Sequence, residues 1–109
     1  YHLLKNDPQA HVLFFSDKQP NITNKLRARL QRLVGIEMST RIVFLPRMDE
    51  ENYLHILQQC TLALDTLYYG GGANTVYDTV ACGLPLITVK GTSHSGRFGY
   101  AAYKQMGME

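Results

Sequence analysis

One stretch of the chain has residue types and spacing suited to holding a phosphate: Gly70-Gly71-Gly72-Ala73-Asn74-Thr75-Val76-Tyr77-Asp78. Three consecutive glycines remove every Cβ where the backbone must turn. An anion can then approach closely, and positive φ angles cost little. Asn74 or Thr75 offers an N-cap for a following helix. The first turn of that helix presents unpaired N–H groups and a partial positive charge. Asp78 lies four residues after Asn74 and three after Thr75, on the same helix face. Its carboxylate can accept both hydroxyls of a sugar diol. The pattern predicts a phosphate seat with a ribose beside it, beyond the carboxyl end of a strand as in open α/β sheets. The glycine run alone is a weak sign. It lacks the spacing of the dinucleotide fingerprint, and Lys90-Gly91-Thr92 has the wrong order for a P-loop ending. The alternative is a flexible strand-to-helix loop before an ordinary capped helix.

Other reactive side chains read less sharply. Asp65 ends an apolar run and could act chemically, but a carboxylate at a strand end more often orders the next turn. His94 lies in a small-residue loop, Gly91 to Gly96, and reads as a surface histidine that could border a cleft. Ser93 and Ser95 form no nucleophile elbow and have no evident base. His2, His11 and His55 are isolated, without metal-ligand spacing, so no metal is expected. Tyr100, Tyr103 and Met106 recur at helical spacing and read as core or domain contacts. Asn21-Ile22-Thr23 is a formal glycosylation sequon with no sign of secretion around it.

The elements that must position these residues alternate between apolar runs and helical patterns. His2 to Asn6 is a helix tail stopped by Asp7-Pro8, and His11 to Ser16 a strand. Pro20 opens a helix to about Val34, with Ile22, Leu26, Leu30 and Leu33 as its buried stripe, and Gly35 ends it. Lys25, Arg27, Arg29 and Arg32 lie largely off that stripe, as a solvated face would. Arg41 to Leu45 is a second strand, and Asp49 caps the next helix. Leu62 to Leu67 is a third strand and Asn74 to Cys82 the glycine-loop helix, with Gly83 as its C-terminal cap. Leu86 to Val89 is a fourth strand, before a last helix from about Gly96 to Met106. Strands this apolar predict burial on both faces. The β-α succession predicts an α/β fold with a doubly wound parallel sheet of about four strands.

Composition sets the outer bounds. At 109 residues, one domain covering 1–109 is expected. A net charge of +2 is too small to argue for nucleic acid or a membrane surface. Cys60 and Cys82 make no disulfide framework. The sequence has no signal peptide and no apolar run of membrane-spanning length, so a cytoplasmic protein is expected. The chain opens on Tyr1 rather than Met and is small for a complete doubly wound domain. Both features predict a piece of a longer protein.

Several motifs, taken in order, resemble one known family. They are Arg41-Ile-Val-Phe-Leu-Pro46, Leu64-Asp65-Thr66, Gly72 to Asp78, Cys82-Gly83-Leu84-Pro85-Leu86-Ile87-Thr88, then Gly91 and Arg97. They are similar to the catalytic region of the protein O-linked N-acetylglucosamine transferases, shared by bacterial TPR-containing and SPINDLY-type enzymes. The match runs from about residue 10 to Gly107. It implies the C-terminal, Rossmann-like, nucleotide-binding half of a GT-B glycosyltransferase.

The resemblance also implies roles. Residues 72–78 stand where the family has Gly-His-Thr-Thr-Gly-Met-Asp. There the loop and helix start contact the diphosphate, and the aspartate holds the ribose. Gly72, Ala73, Asn74, Thr75 and Asp78 become the nucleotide-sugar residues, with Ala73 replacing a histidine and Asn74 a threonine. The loop ahead of the motif is one residue longer and carries Tyr68-Tyr69. Met48 and Tyr53 map to the uracil pocket. Arg97 matches a family arginine near the start of the last helix; it could contact substrate, or pair with Asp65 or another acid. A phosphate-contacting lysine of the family falls upstream of Tyr1. The implied activity is transfer of N-acetylglucosamine or a related sugar from a UDP-sugar to protein Ser or Thr hydroxyls, with the acceptor held by other regions. No cofactor or metal is implied, and the chain has no Asp-x-Asp pair. No residue is assigned as the catalytic base, and the chain alone is expected to be inactive. The alternatives are a related GT-B enzyme, such as a cytoplasmic N-glucosyltransferase, and a non-catalytic Rossmann-like interaction module.

Overall fold

A computed structural model describes residues 1–108. It divides into two compact units, Tyr1–Met48 and the segment from Asp49 onward.

In the first unit, α1 (His2–Asn6), β1 (Val12–Phe15), α2 (Pro20–Val34), α3 (Ile36–Ser39) and β2 (Ile42–Leu45) follow in order. β1 and β2 pair in parallel, with Phe14 opposite Phe44. The two rings stack at 5.5 Å, and the Arg27 guanidinium of α2 covers Phe44 at 4.5 Å. The Arg41 guanidinium donates to the carbonyls of Leu4, Asp7 (2.8 Å) and Ala10 (3.1 Å). One cation thereby serves a carbonyl of α1, that of its C-cap and one in the turn beyond, and ties them to the start of β2.

Helix α2 begins with Pro20 in its first turn and ends at Gly35, whose φ of 87° favours glycine. Its expected stripe is displaced. Ile22 and Leu33 are 46% and 63% exposed and Leu26 is exposed as well, whereas Thr23 and Val34 are buried and Leu30 is half-buried. Two apolar strips adjoin on this helix, and periodicity alone cannot say which one packs. Thr23 selects the inner one, because its hydroxyl accepts the Asp17 N–H at 2.9 Å. β1 also departs from two-sided burial: Val12 and Phe14 are half-buried while Leu13 and Phe15 are exposed.

The second unit contains α4 (Glu50–Gln59), β3 (Ala63–Leu64), α5 (Gly72–Ala81), β4 (Leu86–Ile87), a 3-10 turn at His94–Gly96 and α6 (Phe98–Gln105). Asp49 caps α4 by accepting the Asn52 N–H at 2.9 Å. α5 closes with Leu84 N–H on the Thr79 carbonyl (2.8 Å) and Gly83 N–H on that of Val80 (3.0 Å). This is a Schellman turn with Gly83 at φ 67° and Leu84 buried behind it. The core gathers Leu57, Val76, Thr79, Leu84 and Leu86.

β3 and β4 pair in parallel, Ala63 with Leu86 and Leu64 with Ile87. At the free side of β4, Tyr103 Oη accepts from Leu86 N–H and donates to the Leu86 carbonyl, both at 2.7 Å. One phenol replaces a neighbouring strand there. Among the described residues the strands pair two by two, as separate β1-β2 and β3-β4 sheets. The structure is mixed α/β with parallel pairing; a continuous four-stranded sheet is not among the pairings. The expected third and fourth strands shorten to Ala63–Leu64 and Leu86–Ile87; just past their ends the Asp65 N–H donates to the Ile87 carbonyl and the Thr88 hydroxyl to Asp65 Oδ2, both at 2.9 Å. No described helix is long and apolar enough to cross a membrane.

Candidate functional site

The glycine turn is built on Asp65. Its Oδ1 accepts from Thr66 N–H (3.0 Å) and Gly71 N–H (2.9 Å), and its Oδ2 from the Thr88 hydroxyl (2.9 Å). The Thr66 hydroxyl bonds the Tyr69 carbonyl, and Gly70 N–H bonds that of Ser95 at 3.1 Å. Gly70 is tightly enclosed: a Cβ would lie 3.0 Å from the Ser95 carbonyl oxygen and 3.1 Å from Asp65 Oδ1, so a side chain there would push on its neighbours. Gly72 needs its lack of side chain for another reason, a φ of 79° in otherwise open space.

This turn moves the helix start. α5 begins at Gly72 with Gly71 as N-cap, so Asn74 and Thr75 lie inside its first turns rather than capping it. Among the described residues no side chain caps α5, and the Gly71 N–H is taken by Asp65 instead. The N–H groups of Gly72, Ala73 and Asn74 are the ones a helix start leaves without intrahelical partners. The Thr75 side chain folds back over Gly71, where a Cβ would meet it at 2.9 Å.

Asp78 sits one turn beyond Asn74, half-buried, and faces Tyr53 of α4. Burial pushes the Tyr53 hydroxyl above its ordinary 10.0; the Asp78 charge and a hydrogen bond to that carboxylate push the same way. The structure thus brings Tyr53 and Asp78 together and places Gly72, Ala73, Asn74 and Thr75 along the start of the same helix. Met48 is half-buried and belongs to the first unit. Arg97 is not among the partners of Asp65; it precedes α6 and is exposed. His94 packs edge-on against Phe98 at 5.0 Å. Tyr68 and Tyr69, ahead of the turn, are 91% and 77% exposed.

Sequence reasoning did not single out Thr88, Gly99 or the edge role of Tyr103. A Cβ on Gly99 would come within 2.8 Å of Thr88 Oγ1 and 3.0 Å of Asp65 Oδ2. A glycine just inside a predicted helix was the available signal for that close approach.

Among solved structures the chain is similar to a mutant of Thermobaculum terrenum O-GlcNAc transferase, with a TM-score of 0.82 at 24% identity. The match covers 98% of this chain. The fold is that of part of an O-GlcNAc transferase. The motif resemblance read in the sequence is met at the level of fold. The chain spans 20% of that protein's length. No family model and no curated protein matches the sequence.

Proposed function

We propose that this chain is the nucleotide-sugar-binding part of a GT-B glycosyltransferase, within its Rossmann-like C-terminal half. The observation that supports it best is the glycine turn held on Asp65, opening an uncapped α5 that carries Asp78 further along. In this reading the first-turn N–H groups of Gly72, Ala73 and Asn74 receive the diphosphate, with Thr75 beside them. Asp78 accepts the ribose hydroxyls, and Tyr53 borders the base. The donor is a UDP-sugar and the transferred group N-acetylglucosamine or a related hexose. The acceptor is a Ser or Thr hydroxyl of a protein, held by regions outside this chain.

Chemically, such a site works on the leaving group. As the glycosidic bond breaks, negative charge builds on the diphosphate. Fixed N–H donors and a helix terminus stabilise that charge without reorganising. The chain by itself binds nucleotide and does not transfer sugar. Calorimetric titration with UDP, repeated on Asp78→Ala, tests the reading. Binding that depends on Asp78 supports it; absence of UDP binding, or sugar transfer by the isolated chain, contradicts it.

A further inference from the structure

We propose that Asp65 is the positioning residue of this site, holding the glycine turn so that the first turn of α5 faces the diphosphate. The proposal rests on the nucleotide-binding reading above. Four segments converge on its carboxylate: the end of β3, the glycine turn, the residue after β4, and the start of α6. The first three supply donors, Thr66 N–H (3.0 Å), Gly71 N–H (2.9 Å) and the Thr88 hydroxyl (2.9 Å). The turn and α6 supply clearance. A Cβ at Gly70 would lie 3.1 Å from Oδ1, and one at Gly99 3.0 Å from Oδ2. A short side chain with two acceptor positions fits this space. A longer Glu would push into those two glycines.

Both carboxylate oxygens are engaged inside the protein, so Asp65 does not need the substrate to complete its bonding. Its effect passes through Gly71. The bond to Gly71 N–H fixes the residue just before α5, and with it the direction of the N–H groups that follow. A displaced turn would misaim those groups while leaving Asp78, further along the same helix, on its packed face against Tyr53. Loss of Asp65 should therefore harm diphosphate recognition more than nucleoside recognition.

The test compares wild type, Asp65→Asn, Asp65→Ala and Thr88→Val, titrated with UDP and with uridine by NMR. Asn can keep the geometry: its oxygen accepts both N–H groups, and its amide donates to a turned Thr88 hydroxyl. Asp65→Ala is expected to weaken UDP binding about tenfold, the worth of one charge-assisted hydrogen bond, with uridine within about twofold. Asp65→Asn is expected to stay within about threefold of wild type for both ligands. Thr88→Val removes a single donor and should give a smaller loss, again confined to UDP. Equal losses of UDP and uridine would overturn the proposal, as would an Asn variant as damaged as the Ala variant. If Asp65→Ala fails to fold, the Asn and Thr88→Val variants carry the decision by the same criteria. Wild-type chain that binds no UDP would overturn the nucleotide-binding reading and this proposal with it; wild-type binding unchanged in Asp65→Ala would overturn this proposal alone.

Discussion

Replacing Asp78 by Ala removes the one carboxylate on α5, which in the free protein accepts the Tyr53 hydroxyl. A bound ribose would bring two hydroxyl donors to the same group. A hydrogen bond to a charged partner contributes about 1.5–3 kcal/mol. If the ligand gains two such bonds and displaces the one from Tyr53, the net contribution is about 1.5–3 kcal/mol. That corresponds to a loss of about 10- to 150-fold in UDP affinity for Asp78→Ala, at 1.4 kcal/mol per tenfold. Asp78→Asn keeps an acceptor without charge and should fall between the two. Tyr53→Phe keeps the ring but frees the carboxylate, so it should bind UDP as well as wild type or several-fold tighter. Calorimetry at neutral pH, with urea denaturation of each variant as a folding control, measures all three. Two results would refute the reasoning. One is an Asp78→Ala variant within twofold of wild type. The other is an equal loss for pyrophosphate, which has no ribose to contact Asp78.

Three further outcomes follow from the same geometry. Tyr103→Phe deletes both 2.7 Å bonds to Leu86 at the buried edge of β4, and should cost about 2–3 kcal/mol, read as a drop of roughly 10 °C in Tm by circular dichroism. The glycines should separate by mechanism. At Gly91 a Cβ would stand 2.4 Å from the Gly96 carbonyl oxygen, so Ala there should cost more than about 3 kcal/mol, whereas Gly72→Ala meets no atom and should cost about 1–2 kcal/mol through its φ of 79°. Tyr53 also sets an alkaline limit. Its folded pKa is raised above the unfolded 10.0, so between the two values the folded state holds more protons and stability falls as pH rises. Its contribution is full below pH 10.0 and lost above it, and Tyr53→Phe should unfold with less alkaline sensitivity than wild type in parallel urea titrations.

What was legible in the sequence was local. Pro20 at the start of α2, Gly35 at its end and the Asp49 cap of α4 each act within a few residues of themselves, and their elements stand where expected. The four-residue α3 has no cap signal beyond Gly35 and escaped the reading. The α2 stripe was misplaced because Thr23 is buried by a bond to Asp17, which hydropathy does not register. The start of α5 was misplaced for a similar reason. Asn74 and Thr75 are good cap residues, but Asp65 intercepts the Gly71 N–H from the end of another element. The pairing of Tyr53 with Asp78 joins two helices and has no signature in either. Tyr103 follows apolar helical spacing, and only the position of β4 reveals that its hydroxyl serves a backbone edge.

The two aspartates near the turn show how environment divides labour between like side chains. Asp65 has three protein donors on its two oxygens, two of them backbone N–H groups that cannot leave without unmaking the turn. A ligand hydroxyl that displaced them would undo the bonds that hold the turn, and it has no backbone to hold the turn in their place. Asp78 is half-buried and meets a phenol on a rotatable side chain. A ribose hydroxyl can take that place at little cost, because the Tyr53 hydroxyl can turn to water or to the ligand itself. Under the proposed function, the carboxylate tied into the backbone would shape the site, and the one held by an exchangeable partner would be the one to meet the ribose.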